Sequence, residues 1–196
     1  MGGIIRGIPR TAALAAVLVI SGCRIGDVGV TPVNDSRAFD LPGQELTIDS
    51  TSDLRLVPGH GRALRVSRRL TGMAAEEGNA SWALDGSTLR LTAKCRGLVI
   101  ECGSHYTVEV PANVAVSVRT EGAEVSADGL PNALTVRTGT GHIRAAKTSG
   151  TLRLSSGTGD VAVDESASSD VEVHSRQARH TLAFATAPRG GEHPRR

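Results

Sequence analysis

Aromatic side chains are scarce in this chain: they make up 2% of the residues, with one Trp, one Tyr and two Phe. Beyond residue 22 the charges cancel at 20 basic and 20 acidic side chains, because residues 1–22 hold Arg6 and Arg10 and no acid. Nucleic-acid binding needs a basic surface and, for single strands, aromatic platforms on which bases stack. The composition therefore excludes a nucleic-acid-binding protein.

Catalytic and metal-binding motifs are also lacking. The sequence contains no P-loop lysine, nucleophile elbow, H-E-x-x-H pair or zinc-ligand spacing. We therefore predict that the protein is not an enzyme, and we expect no catalytic residue and no cofactor.

The N-terminal apolar run is too short to cross a bilayer. Two arginines precede ten uncharged residues, Thr11 to Ile20, whereas a spanning helix needs about 20. A basic start followed by a short apolar stretch is typical of an export signal peptide.

The four residues after this run resemble the lipobox of bacterial lipoproteins. They read Ile20-Ser21-Gly22-Cys23: an aliphatic residue, two small residues and a cysteine. The resemblance implies cleavage before Cys23, a diacylglyceryl group on its thiol, and a position on the cell membrane facing outside the cytoplasm. Two acyl chains give a stable anchor where one gives a marginal anchor. The alternative is an ordinary signal peptide, with Cys23 as the first mature residue.

The other two cysteines, Cys95 and Cys102, form an even pair if Cys23 is lipidated. Disulfides persist in exported proteins, and an eight-residue loop gains about 2.5 kcal/mol from such a bridge. Their spacing excludes a C-x-x-C redox pair, and the lack of further ligands disfavours a zinc site. We predict a structural disulfide.

The chain divides into four segments by composition. The second is rich in Gly and polar residues, and the last has no apolar content, which is typical of disorder. We predict a leader at 1–22, a flexible tether at 23–40, a β-repeat domain at 41–186 and a disordered basic tail at 187–196.

Alternation of apolar and polar residues predicts an all-β fold. It occurs at Leu46 and Ile48, and again from Tyr106 to Val110. Asp85-Gly86 lies between two more such segments and is a typical hairpin turn. We expect antiparallel strands in this N-terminal part.

The second half of the chain repeats every 18 residues. The repeated segments are Val116–Thr120, Leu134–Thr138 and Leu152–Ser156, and the intervening turns contain Gly139, Gly141, Gly157 and Gly159. We expect these glycines to adopt backbone conformations that other residues resist. The equal spacing favours a β-solenoid of stacked rungs, and an antiparallel meander is the alternative. A last copy at Val171 lacks the glycines, as in a terminal cap.

Three stretches carry a resemblance to a known family: YTVEVPANVAVSVRT, VRTGTGHIRA and LRLSSGTGDVAV. They resemble the putative-adhesin family of β-strand repeat proteins. The sequence departs from the family pattern at Ala123, at His142 where Asp is common, and at 176–178. The resemblance implies a non-enzymatic surface protein that binds an envelope polymer or protein, in addition to its membrane anchor.

Two outward-facing columns follow if the repeats stack in register. Glu124, His142 and Asp160 would place an imidazole between two carboxylates, which favours its protonated form. The column is either an exposed ion pair or a weak divalent-cation site, and the lack of walls that exclude water favours the ion pair. A second, mildly basic column consists of Arg119, Arg137, Ser155 and His174. It is either a solvated face or a surface for anionic polymer or lipid headgroups.

Two other functions remain open at this point. One is an envelope glycan hydrolase, which needs two carboxyl groups about 5–9.5 Å apart. The other is an accessory sensor that partners a membrane regulator. The few aromatic residues weigh against sugar binding.

Overall fold

The computed structural model describes residues 31–95, 101–177 and 179–185. Within these ranges the chain forms fifteen strands and one 3₁₀ turn at Met73–Ala75. The strands are β1 Val33–Phe39, β2 Glu45–Ser50, β3 Asp53–Pro58, β4 Leu64–Gly72, β5 Ala80–Asp85, β6 Thr88–Ala93, β7 Cys102–Val110, β8 Ala115–Thr120, β9 Val125–Asp128, β10 Leu134–Thr138, β11 Ile143–Ala146, β12 Leu152–Ser156, β13 Val161–Ser166, β14 Val171–Ser175 and β15 His180–Phe184. None of the described segments is a helix of the length and hydrophobicity that a membrane span requires.

The strands form two sheets that face each other. One has the order β1-β4-β7-β3-β9-β11-β13-β15, and the other has the order β14-β12-β10-β8-β2-β6-β5. A strand of the second sheet, a turn and a strand of the first sheet make one rung, as in β8/β9 or β10/β11. Rungs pair in parallel, with Val116 opposite Leu134 and Leu134 opposite Leu152. The predicted solenoid is therefore confirmed, and the alternative meander is wrong.

The N-terminal strands are antiparallel, as predicted. In the first sheet β1 pairs with β4 and β4 with β7, and in the second sheet β5 pairs with β6. The earliest rung, β2/β3, lies inside the stack between β6/β7 and β8/β9. The chain therefore starts a rung, builds one end of the stack from β4 to β7, and then continues on the other side of that first rung.

The core lies between the two sheets and consists mainly of aliphatic side chains. Alternate residues of each rung point inward, and Ile48, Leu56, Val118 and Val136 are fully buried. Neighbouring rungs repeat the same inward positions because the register is regular at the parallel pairs from β8 to β13, whereas it shifts between Val163 and Ser166 where β13 pairs with β15. Burial of each such side chain contributes roughly 1.5–3 kcal/mol.

The glycines of the Gly-Thr-Gly turns permit close packing between rungs. None of them has a positive φ, which corrects the expectation of unusual backbone conformations. A Cβ on Gly139 would lie 2.7 Å from the carbonyl oxygen of Glu121 on the preceding rung. A Cβ on Gly157 or Gly159 would collide with the carbonyl of Gly139 or Gly141. The turns stack too closely for a side chain.

A hydroxyl side chain closes each of these turns. Thr138 Oγ1 accepts a hydrogen bond from the Gly141 N–H at 2.9 Å, and Ser156 Oγ accepts one from the Gly159 N–H at 2.9 Å. These are turn hydrogen bonds of the kind that Ser and Thr commonly make. They explain why the repeat places Ser or Thr immediately before the first glycine.

One end of the stack, which we call the capped end, is closed by β1, β4 and β5 and by an aromatic cluster. The Trp82 ring lies 6.5 Å from that of Phe39 and 6.4 Å from that of Tyr106, both edge to face. The Arg68 guanidinium lies 4.3 Å above the Trp82 ring and 2.8 Å from an Asp35 carboxylate oxygen. Burial raises the pKa of the Tyr106 phenol, with a smaller opposing effect from Arg68.

Strand β1 shortens the predicted tether. Residues Val33–Phe39 were expected to be flexible, but they pair with β4 along their whole length. Their apolar content is low, and what holds them is the backbone ladder, the Arg68–Asp35 pair and the buried Phe39 ring. Cys23 and the tail at 187–196 lie outside the described residues.

Candidate functional site

The turns along one edge of the stack differ in length, and the difference creates a groove. The turn between β2 and β3 has two residues, Thr51 and Ser52. Its neighbours are longer: 121–124 joins β8 to β9, and 94–101 joins β6 to β7. The short turn forms the floor of the groove, with residues 119–123 on one side and residues 102–105 on the other, and the groove has a volume of about 990 Å³. This turn-edge groove is lined by 49–53, Arg90, Thr92, Ala93, Cys95, 102–105 and 119–123.

Hydroxyl groups dominate the floor of the turn-edge groove. Ser104 Oγ donates to Ser52 Oγ at 2.7 Å, and Ser50 Oγ donates to the Ser52 carbonyl at 2.7 Å. The Ser52 N–H in turn donates to Ser50 Oγ at 3.1 Å. These bonds hold the floor rigid, and the exposed Thr51 hydroxyl accepts a backbone hydrogen bond from Ala93 at 3.1 Å.

Charged side chains of both signs line the same groove. They are Asp49, Asp53, Arg90, His105, Arg119 and Glu121. His105 Nδ1 lies 3.4 Å from Asp53 Oδ2, and Arg90 pairs with Asp85 at 3.3 Å. The groove therefore offers hydrogen-bond donors and acceptors beside small apolar groups, and its described lining contains no aromatic ring. Such a lining suits a ligand that carries hydroxyl groups.

The predicted disulfide is present at the wall of the groove. Cys95 and Cys102 are bonded, with their Cα atoms 6.1 Å apart. The bridge joins the end of the segment that follows β6 to the start of β7, and both cysteines line the groove.

Glu124, His142 and Asp160 occupy equivalent positions on adjacent rungs, as predicted, but the chemistry of this column differs from the prediction. No ion pair links the three side chains. His142 Nδ1 accepts a hydrogen bond from the Asp160 N–H at 3.0 Å, and Asp160 Oδ1 accepts one from the Arg179 N–H at 3.0 Å. His142 thus contacts a backbone N–H and not the two carboxylates between which the sequence placed it.

Asp53 extends this column toward the groove. Its Oδ1 accepts a hydrogen bond from the Glu124 N–H at 3.0 Å. The side chain before a strand therefore binds the backbone of the next rung at three places in the stack, which is a structural role. Among the described ranges, no group of three or more His, Cys, Asp or Glu side chains has the geometry to hold a metal ion.

The basic column is in register and continues into the groove. Arg119, Arg137, Ser155 and His174 lie side by side on four strands. Beyond Arg119 the same row continues with Asp49 and Arg90. Arg119 and Arg137 are exposed and form no salt bridge within the described residues. The two guanidinium groups lead from the groove onto the face of the sheet.

The sequence prediction missed the turn-edge groove. Its floor and one wall come from β2/β3 and β8/β9, whose contacts join residues 71 to 73 positions apart, as in the Glu124–Asp53 and Arg55–Asp128 pairs. The one local signal was the short polar stretch of five residues between Ile48 and Leu54, which separates two alternating segments. It indicates a tight turn but not which turns flank it.

No protein-family model matches the sequence, and no curated protein matches it. Among solved structures, the fold is similar to that of a "putative cell adhesion protein" from Clostridium sporogenes. The TM-score is 0.56 at 8% identity, over 78% of this chain and 99% of that chain. A "putative adhesin" from Parabacteroides distasonis matches with a TM-score of 0.38 at 9% identity, over 78% of this chain and 79% of that chain. The Clostridium structure shows a shared fold.

Proposed function

We propose that this protein is a non-enzymatic, adhesin-like binding module, anchored to the outside of the cell membrane through lipid on Cys23. The turn-edge groove is the observation that carries the proposal. It is a concave surface on the two-sheet scaffold, lined by hydroxyl, charged and small apolar groups, and none of the hydroxyl groups among its described residues is hydrogen-bonded to a histidine or a carboxylate. The fold shared with the "putative cell adhesion protein" from Clostridium sporogenes supports the proposal.

The lining of the groove favours a polyhydroxylated envelope component as ligand. Its charged side chains include three carboxylates and two arginines, so it offers both acceptors and donors. Arg137 lies next to Arg119 outside the groove, so a flexible polymer that leaves the groove meets a second arginine. The exposed Thr51 hydroxyl on the floor adds a further hydrogen-bonding group.

The groove is less suited to glycan hydrolysis. Asp53 uses one carboxylate oxygen for the Glu124 N–H and places the other beside His105. A hydrolase needs one carboxyl group that protonates the leaving oxygen and a second that attacks or activates water. Asp53 is occupied in holding two rungs together, so we assign it to the scaffold.

Capture in intact cells tests the binding function. The full-length protein is cross-linked in its own envelope, and attached material is identified by mass spectrometry. We expect one enriched envelope component, lost in the Arg90→Ala/Arg119→Ala variant and retained in Arg144→Ala, an exposed arginine outside the groove. Equal capture by both variants would contradict the proposal. Release of glycan fragments by the purified protein would replace it with the hydrolase.

The anchor is tested separately. Cells are fed a fatty-acid analogue, and we expect label on the wild-type protein and none on Cys23→Ala. Cys95→Ser/Cys102→Ser is the matched control, because it removes thiols without removing the anchor. Label retained on Cys23→Ala would refute lipidation at that residue.

A further inference from the structure

The end of the stack formed by β14 and β15, which we call the open end, leaves its core uncovered. Leu182 lies opposite Val163 on the core side of its strand, yet it is 47% exposed. It is the one large hydrophobic side chain that is exposed among the described residues. Val171, Val173 and Phe184 face the same gap and are only partly buried. The inward row of the solenoid thus ends in apolar surface.

Within the described residues, the core at the opposite end is covered. At the capped end, β1 and β5 and the aromatic cluster cover the last core residues. Head-to-tail stacking of identical molecules would therefore place an open end against a covered one. An isologous contact, in which the open end meets the open end of a second copy, is the arrangement that joins like apolar surfaces.

The open end is self-complementary in hydrogen bonding. If β14 pairs antiparallel with its own copy about Val173, Glu172 lies opposite His174 of the second copy and Val173 lies opposite itself. Within one molecule His174 Nε2 and Glu172 Oε1 are 2.7 Å apart, so the two side chains are hydrogen-bonding partners. The hydrogen bond from His174 lowers the pKa of Glu172, desolvation opposes it, and the nearby Arg153 lowers it further. A carboxylate that faces an imidazole across the two strands forms the same hydrogen bond between the copies and stabilises the pairing.

The same two-fold axis also pairs β15 with β15 of the second copy and covers its exposed leucine. Antiparallel pairing about Leu182 brings Leu182 against Leu182 of the second copy, and Thr181 against Ala183. The apolar side chain that is exposed in one molecule is then covered by its equivalent. Both sheets continue across the contact, and the two unpaired strand edges are satisfied at once.

We propose that the open end binds a second copy of this chain, with β14 against β14 and β15 against β15. Strand β1, the first described strand, lies at the capped end. The two copies therefore place their β1 strands at opposite ends of the pair. Eight strands in the larger sheet at a spacing of about 4.8 Å separate the two ends by about 34 Å. If Cys23 anchors each copy, as the proposed function requires, the pair joins two facing membranes.

Sedimentation of the full-length protein, purified from membranes in detergent, tests the contact. We expect a monomer–dimer equilibrium whose Kd rises about tenfold or more in Leu182→Arg, since each copy loses an apolar contact. Ala115→Arg adds the same charge to an exposed position away from the open end and should leave the Kd unchanged. Unchanged melting temperatures verify that both variants fold.

Charge reversal tests the register. Glu172→Lys should weaken the dimer, because the facing His174 loses its carboxylate partner. Glu172→Lys/His174→Glu should restore the dimer, because a lysine then faces a glutamate at both positions. A monomer at all concentrations, or a dimer indifferent to Leu182→Arg, would overturn the proposal.

Vesicle clustering separates this proposal from the function of the groove. Wild-type protein on vesicles should cluster them, and Leu182→Arg should not, while both capture the envelope component through the groove. Loss of capture with clustering intact would refute the binding function of the groove and leave the pairing of the open ends standing. A dimer in detergent without clustering would refute the pairing of facing membranes.

Discussion

The two ends of the stack differ in how far they cover the core residues of their last rung. The capped end uses antiparallel strands and three of the four aromatic side chains, Phe39, Trp82 and Tyr106. The open end has Phe184 alone and leaves Leu182 exposed. A solenoid must cover its terminal rungs or use them for binding, since a bare parallel edge invites pairing. The contrast agrees with the proposal that the open end binds a second copy.

The largest effect should separate the middle of the stack from its open end. Val136→Asp places an unpaired charge at a fully buried position, which should cost more than about 4 kcal/mol and unfold the domain. Leu182→Asp puts the same carboxylate at an inward position that water already reaches, so we expect a loss below about 1 kcal/mol. Urea unfolding measures both, and equal losses would show that the open end is as closed as the middle.

A second test compares the stacked turns with a free loop. Gly159→Val forces a side chain against the Gly141 carbonyl of the preceding rung, and we expect a loss of about 3 kcal/mol. Gly43→Val is the control, because a Cβ there meets no atom within 4 Å. Thermal melting distinguishes them. A stable Gly159→Val variant would mean that the rungs separate easily at this edge.

The aromatic residues of the two ends should contribute differently to the free energy of unfolding. Trp82→Ala removes a half-buried ring that contacts two other rings and the Arg68 guanidinium, and should cost about 2–3 kcal/mol. Phe184→Ala at the open end should cost about 1 kcal/mol in the monomer. Urea titration at low protein concentration keeps dimer formation out of the comparison. A larger loss for Phe184→Ala than for Trp82→Ala would contradict the view that the aromatic cluster of the capped end stabilises the stack.

The smallest effect concerns the column of Glu124, His142 and Asp160. His142→Ala removes one exposed hydrogen bond to a backbone N–H, so the expected loss is about 0.5–1 kcal/mol. We also expect calcium or zinc to leave the melting temperature of the wild type unchanged. A rise that disappears in His142→Ala would instead reveal metal binding by linkage.

The regular part of the fold could be predicted because its information is local. The 18-residue spacing, the inward aliphatic residues and the turn glycines all follow from neighbouring repeats, and the parallel register agrees with them. The role of the glycines was misjudged, because a sequence does not show how closely one turn lies on another. His142 was misjudged for a similar reason: its partner is a backbone N–H, which every residue type supplies.

The irregular part could not be predicted, since its contacts are distant in the sequence. Nothing in the residues of β2/β3 indicates that this rung lies against β8/β9, so the turn-edge groove was invisible. Strand β1 escaped detection because it pairs through its backbone and has little apolar alternation. Both omissions concern the half of the stack that holds the candidate site.

The position of β2/β3 inside the stack has a consequence for folding. From β8 onward each rung needs only the rung 18 residues away, as in the Asp160–His142 contact, so these rungs assemble through local contacts. The β2/β3 rung gains its β9 neighbour across 71 residues, as the Glu124–Asp53 bond shows. Long-range pairing is slow because the intervening chain must be ordered first. During synthesis from the N-terminus, β2 and β3 therefore stay unpaired on their β8/β9 side until about two-thirds of the chain has been made.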